Sequence, residues 1–308
     1  MGKIAFVFSG QGAQYSGMGK SLYEASRGAK TLYDACEEIR PGTKEQSFSG
    51  SDEELRDTKN TQPCMYLVEL SAAEALREHG IAADGAAGFS LGEISALAYA
   101  GAYSFEDGFR IVAKRGELMS RAAGKHDTAM AAVLKLDDKT VEDAVACFDD
   151  LYAVNFNCPG QVVVSGSKSS VDAFADAVKC LGGRMIPLAV SAAFHSPFMS
   201  GAAEQFSDAL KDFEISMPKL PVYANLTAKT YDRSPAEILP EQMKNPVRWQ
   251  HTIENMIADG YTDFIELGPG KTLCGLIKKI SGDVRVYSVQ DAESLENTVS
   301  EVREHAEK

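Results

Sequence analysis

The chain has 308 residues, 44% of them hydrophobic and 24% charged, with a formal net charge of −13. That length buries a large core, as one big domain or a domain with an insert, and the composition is that of a soluble globular enzyme. The charge opposes binding to nucleic acid or to anionic membranes, and no apolar run reaches the ~18 residues of a membrane span.

Met1-Gly2-Lys3 leads straight into Ile4 to Phe8, a near-continuous apolar run of the kind a buried parallel strand shows. With no cleavage site after it, a signal peptide is not expected. Six scattered cysteines without a C-x-x-C pair agree with a cytoplasmic protein holding reduced thiols and no zinc. The strand runs into Ser9-Gly10-Gln11-Gly12-Ala13-Gln14. A dinucleotide fingerprint would need glycine at Tyr15, so that reading falls, but a glycine-rich turn still presents backbone N–H groups to an anion.

Residues 17–60 read as helical pieces and polar loops broken at Pro41-Gly42. Thr61 is expected to cap a long helix from Gln62 to His79, with Leu67, Leu70, Ala73 and Leu76 on its apolar face and Gly80 closing it. Gly85 to Phe89 then leads into Gly88-Phe89-Ser90-Leu91-Gly92-Glu93. This matches G-x-S-x-G, a serine on a sharp turn between strand and helix, where flanking glycines leave room for a tight bend. A glycine-bracketed helix cap is the plainer reading of the same six residues. Ser104-Phe-Glu-Asp107 starts the next helix, which carries Phe109, Val112, Leu118 and Met119 together with Lys114 and Arg115.

From Gly124 to Thr128 the composition changes. The order then becomes strand (130–136), helix (138–148), strand (151–155), strand (162–165), helix (169–181) and strand (185–190), with a turn at Asn157-Cys-Pro-Gly160. This β-α-β-β-α-β order is that of a ferredoxin-like unit. Residues 127–190 are therefore expected to form a small subdomain inserted into a larger one made of 1–126 and 191–308. The loop from Ser191 to Met199 re-enters the larger unit and carries His195. Beyond it come a helix at 201–213, a strand at 222–225, a helix at 249–259 and a strand at 262–267. Gly268-Pro-Gly-Lys-Thr272 lacks the glycine a phosphate loop needs at Ile265 and reads as a strand-to-helix turn.

A serine hydroxyl needs a base. Of five histidines, His79 sits at a helix end, His305 in the charged tail and His126 in a polar linker, which leaves His195 with His251 as runner-up. No acidic residue stands out as a third member, and a backbone carbonyl orients an imidazole equally well. Arg115 taken alone reads as a surface helix arginine.

Ser9-Gly-Gln-Gly-Ala-Gln14, Gly88 to Glu93, Lys114-Arg-Gly-Glu-Leu-Met119, Asn155-Phe-Asn-Cys-Pro-Gly-Gln161, His195, Asn245-Pro-Val-Arg-Trp249 and Glu266-Leu-Gly-Pro-Gly-Lys271 occur together and in one order. As a set, over about residues 3–290, they resemble the malonyl-CoA:acyl-carrier-protein transacylases of bacterial fatty acid synthesis. The resemblance implies an α/β-hydrolase-like subdomain with a parallel sheet plus the ferredoxin-like insert. It implies a Ser90–His195 dyad, with Gln11 and Leu91 giving oxyanion N–H groups and Arg115 holding the malonyl carboxylate. It places the carbonyl that orients the histidine in Asn245 to Trp249. Phe194, Asn155 and Asn157 join the substrate-binding set. Leu91 and Ala192-Ala-Phe-His195 look like the malonyl-selective form of related polyketide acyltransferases. Phe89 departs from the family, which usually has histidine before the nucleophile, and this bears on pocket polarity and rate.

Malonyl-CoA and acyl carrier protein are the implied substrates, with no cofactor, no metal and a monomer expected. A stand-alone malonyl loader for a polyketide synthase and, further off, a serine thioesterase are the alternatives. A carrier-binding scaffold with a dead site is opposed by the intact Ser90, His195 and Arg115. Carrier proteins are acidic, so an acidic enzyme needs a local basic patch, with Lys271, Lys278, Lys279 and Arg285 as candidates.

Overall fold

The computed structural model describes residues 2–190 and 192–306. Met1, Ser191, Glu307 and Lys308, which the sequence assigns to the larger subdomain, lie outside the described residues. In chain order the elements are β1 (Lys3–Phe8), α1 (Lys20–Ala25), α2 (Arg27–Ile39), α3 (Thr43–Ser49), α4 (Asp52–Arg56), α5 (Thr58–Glu78), β2 (Gly85–Gly88), α6 (Gly92–Tyr99) and α7 (Phe105–Ala123). They continue as β3 (Thr128–Leu134), α8 (Asp138–Val145), β4 (Leu151–Cys158), β5 (Gln161–Ser167), α9 (Lys168–Cys180) and β6 (Arg184–Pro187). After a 3₁₀ turn at Pro197–Met199 come α10 (Ser200–Leu210), β7 (Val222–Tyr223), α11 (Pro235–Lys244), α12 (Trp249–Ala258), β8 (Tyr261–Leu267), α13 (Thr272–Ile280), β9 (Arg285–Val289) and α14 (Ala292–Ala306).

Two sheets result. The first is five-stranded, ordered β7-β2-β1-β8-β9, and every neighbouring pair is parallel. Because side chains alternate across a strand, Phe6 and Phe8 of β1 point into one core while Ala5 and Val7 point into the other. Both faces are therefore covered, which explains a run with no polar alternation. The second sheet is antiparallel, ordered β4-β5-β3-β6, with α8 and α9 packed on it through Val141, Val171 and Phe174. Its β-α-β-β-α-β connectivity is the ferredoxin-like order.

Several boundaries differ from the sequence reading. Helix α5 starts at Thr58, four residues before the expected Gln62, because Asp57 caps it by accepting from the Lys59 N–H. Thr61 lies inside the first turn, its hydroxyl donating to the Leu55 carbonyl at 2.5 Å. Strand β4 runs on to Cys158, three residues past the expected end at 155, so Pro159 and Gly160 alone make the turn into β5. Three elements were not anticipated: α11, β9 and α14. Among the described residues no helix is long and apolar enough to cross a membrane.

In the parallel sheet the carboxyl ends of β1, β2 and β8 lie side by side, with Phe8 paired to Gly88 on one side and to Leu267 on the other. The crevice beyond the strand carboxyl ends, where open α/β sheets bind their ligands, falls here.

Candidate active site

Strand β2 ends at Gly88 and α6 begins at Gly92, and the bend between them leaves no room for side chains at either glycine. A Cβ on Gly88 would lie 1.9 Å from the Gly92 carbonyl carbon, and one on Gly92 would lie 2.3 Å from the Phe8 oxygen. Ser90 at the apex has φ of 55°, a left-handed conformation that an ordinary residue adopts only when its surroundings enforce it. Asn225, just past β7, supplies that enforcement. Its Oδ1 accepts from the Ser90 N–H at 2.8 Å and its Nδ2 donates to the Gly88 carbonyl at 2.6 Å.

His195 also has a left-handed φ, 58°, in the loop that returns from the antiparallel sheet. Its Nε2 lies 2.8 Å from Ser90 Oγ, and its Nδ1 lies 2.9 Å from the Gln242 carbonyl oxygen. A carbonyl only accepts, so Nδ1 carries the hydrogen and Nε2 presents a lone pair to the serine hydroxyl. Burial, with the nearby positive charge of Arg115 second, pushes the imidazole down to about 4. It is therefore neutral, and able to accept a proton, throughout the neutral range. The carbonyl at hydrogen-bonding distance is that of Gln242 in α11, three residues before the expected Asn245–Trp249 stretch, and the backbone of Asn245, where that stretch begins, also reaches the ring.

Arg115 is fully buried and not a surface residue of α7. Its Nη1 donates to Gln62 Oε1 at 3.0 Å, and its Nη2 donates to Gln242 Oε1 at 2.7 Å and to Ser90 Oγ at 3.1 Å. The Nε has no partner among the described residues. Burial lowers the guanidinium to about 10, which leaves it charged at neutral pH. A charged guanidinium thus lies against the Ser90 hydroxyl, and pairing with a carboxylate is the chemistry its planar fork suits.

Ser90 and His195 line a cavity of about 110 Å³ with Gln11, Leu91, Met119 and Phe194, and Gln62 brings its wall to Arg115, which lies just behind. Gln11, Phe89, Asn155 and Leu188 also line an adjoining cavity of about 250 Å³ between the two sheets, which continues to Asn157 and Gln161. The Oδ1 atoms of Asn155 and Asn157 are buried without partners among the described residues. Among those residues the backbone N–H groups of Gln11 and Leu91 donate to no protein group. Phe89 is half-buried between the two cavities, its ring edge-on to Trp249 at 5.6 Å.

The remaining candidates lie elsewhere. His251 sits in α12 with its ring 6.5 Å from that of Phe156 and does not line the cleft. Of the four cations proposed for docking, Lys279 donates to Gln161 Oε1 at 3.5 Å, at the outer end of the cleft. Lys271 borders a separate cavity with Tyr287 and Glu301, and Lys278 donates to the Val284 carbonyl at 2.6 Å. Arg285 is held by both oxygens of Asp263 at 2.6 Å. It starts β9, four residues or about 13 Å from the strand end that borders the site, which removes it from the mouth.

The sequence reading missed Gln242, Gln62 and Asn225, and it did not use Glu93. Ser234 followed by Pro235 is a helix start that would have disclosed α11 and so Gln242. Nothing local marks Asn225 or Gln62.

Residues 5–296 match the acyl transferase domain family. The malonyl CoA-acyl carrier protein transacylase of Bacillus subtilis (strain 168) is 42% identical over 313 residues, covering 99% of this chain and 98% of that protein. The crystal structure of the malonyl CoA-acyl carrier protein transacylase from Clostridium perfringens superimposes with a TM-score of 0.96 at 36% identity, over 99% of this chain and 98% of that one. A malonyl-transacylase solved in complex with its type II PKS acyl-carrier protein superimposes with a TM-score of 0.91 at 34% identity, over 97% and 99% of the two chains.

Proposed function

Since this chain belongs to the acyl transferase family and transfers malonyl from malonyl-CoA to acyl carrier protein, we propose that it works through a malonyl ester on Ser90. The observation that carries this is the placement of one hydroxyl within hydrogen-bonding distance of both a neutral imidazole and a guanidinium, at 2.8 and 3.1 Å.

His195 Nε2 takes the Ser90 proton as Oγ attacks the thioester carbonyl. The oxygen of that carbonyl becomes an oxyanion, which the N–H groups of Gln11 and Leu91 receive. The carbon–sulfur bond then breaks, the coenzyme A sulfur takes the proton from His195, and Ser90 is left malonylated. The pantetheine thiol of the carrier repeats the sequence in reverse, giving its proton to His195 and finally back to Ser90. One oxyanion donor contributes ~10²–10³ in rate and the general base ~10²–10⁴.

The malonyl carboxylate is one methylene from the reacting carbonyl, and Arg115 is adjacent to Ser90. A planar guanidinium binds a carboxylate through two parallel hydrogen bonds, which an ammonium cannot do. Phe194, beside His195, narrows the same cavity against a substituent on that methylene. Asn155 and Asn157, with open amide oxygens, suit the amide N–H groups of pantetheine in the adjoining cavity. Lys279 suits the acidic carrier at the outer end.

The product supplies fatty acid synthesis in this reading. A relative solved with a polyketide carrier makes loading of a polyketide synthase the second reading, and transfer rates to the two carrier types separate them. For the site itself the test is Arg115→Ala. Malonyl loading should fall by about 10²-fold or more, the scale of a lost charge-assisted pair, while acetyl loading holds or rises. Equal losses for both acyl groups would remove Arg115 from the carboxylate role.

A further inference from the structure

Glu93 is completely buried in the first turn of α6, yet nothing in the acyl-transfer steps uses it. Every group that reaches it is a donor. Tyr231 Oη donates to Oε1, Gln242 Nε2 donates to Oε2 at 2.8 Å, and the Asn225 N–H donates to the same oxygen at 3.1 Å. Two of these partners are the residues that hold the site. Asn225 fixes the bend at Ser90. Gln242 has its second amide hydrogen on the Ser90 carbonyl at 2.8 Å and its Oε1 on Arg115 at 2.7 Å.

The amide of Gln242 is thus locked from both ends. Its NH₂ is claimed by Glu93 and the Ser90 carbonyl, and its oxygen is turned to the guanidinium. The hydrogen bonds of Arg115 go to two amide oxygens and one hydroxyl, and none goes to a carboxylate among the described residues. A direct Glu–Arg pair would fill the fork that the substrate needs. With Gln242 between them, a buried acid holds the cation through an amide, and the Arg115 Nε stays without a partner among the described residues.

We propose that Glu93 is a positioning residue for acyl selectivity, orienting Arg115 toward the carboxylate of the incoming acyl group through the side chain of Gln242. This rests on the carboxylate role given to Arg115 above. Removing Glu93 lets the Gln242 amide rotate, and an amide turned by half a revolution points NH₂ at a guanidinium. Glu93→Gln differs: its carboxamide oxygen still accepts from Gln242 and Asn225, and its NH₂ faces the Tyr231 oxygen.

The measurement is the ratio of malonyl to acetyl loading rates from the two coenzyme A thioesters on the full chain, with thermal unfolding to verify folding. Glu93→Ala should lower that ratio by about tenfold, the effect of one misplaced hydrogen bond to a charged group, and Glu93→Gln should keep it within about threefold. Should the alanine variant not fold, Tyr231→Phe removes one donor from Glu93 at little structural cost, and the ratio should fall by about threefold. A ratio unchanged in folded Glu93→Ala, or in Tyr231→Phe where the alanine does not fold, overturns the proposal. So does a glutamine variant as poor as alanine. Arg115→Ala is run beside them: if it too leaves the ratio unchanged, the site reading beneath the proposal falls with it, and if it alone moves the ratio, only Glu93 is excluded.

Discussion

Two ordinary residues, Ser90 and His195, hold left-handed backbone angles of 55° and 58°, and their side chains meet at 2.8 Å. Such conformations cost of order 1–3 kcal/mol each and persist only where neighbours impose them. Here Asn225 restrains the serine and the Gln242 carbonyl restrains the imidazole. The electrostatics follow the same logic. Burial first, and Arg115 second, disfavour the imidazolium, so His195 is protonated only near pH 4 and not near its ordinary 6.5. Lowering the pH through 6.5 should therefore leave acyl loading almost unaffected, with activity lost as the pH approaches 4. Arg115→Ala removes the second cause, so its acid limb, followed with acetyl-CoA, should move to higher pH. A wild-type acid limb centred near 6.5 would show that the imidazole is not held in this buried state. Sequence pattern alone left His195 and His251 open, because what separates them is which one faces the serine across the fold. Arg115 was hidden for the same reason: a helix position shows its neighbours in sequence, not the Gln62 and Gln242 oxygens that bury it.

At the scale of elements, the bend between β2 and α6 was legible because steric need writes itself into glycine. A Cβ at Gly88 would meet three backbone atoms of Gly92 and Glu93 at 1.9–2.2 Å, none of which can yield without moving α6. Gly88→Ala should destabilise the fold by about 3 kcal/mol or more, read as a lower thermal midpoint together with lost loading. A variant with wild-type stability and activity would mean that the bend tolerates a wider path. The β-α-β-β-α-β order was equally readable, since its helices and strands switch hydrophobic period cleanly. Helix α11 was not. Pro240 interrupts its interior and its apolar residues Ile238, Leu239 and Met243 form a short, uneven face. Its omission cost Gln242, whose side chain touches the Ser90 backbone, the Arg115 guanidinium and the buried Glu93 together.

The whole molecule poses an electrostatic problem that the site does not. A net charge of −13 opposes an acidic carrier at long range, and the docking proposed above answers it with local cations near the cleft. Lys279, bonded to Gln161 at the outer end of the cleft, is the best placed of those considered. Lys279→Glu should raise the KM for carrier by several-fold, on the order of one rim charge reversed, and leave the KM for malonyl-CoA in place. An unchanged carrier KM would move docking to another face. Composition and charge argue for such a patch but not for its position, because position depends on how the two sheets sit together around the cleft.

The central claim is a covalent malonyl on Ser90, and intact-mass measurement after mixing with malonyl-CoA tests it most directly. The wild-type chain should gain one malonyl group, located to Ser90 by peptide mapping and discharged on adding carrier protein, while Ser90→Ala gains none. A Ser90→Ala chain that still acquires malonyl and passes it to carrier would contradict the account.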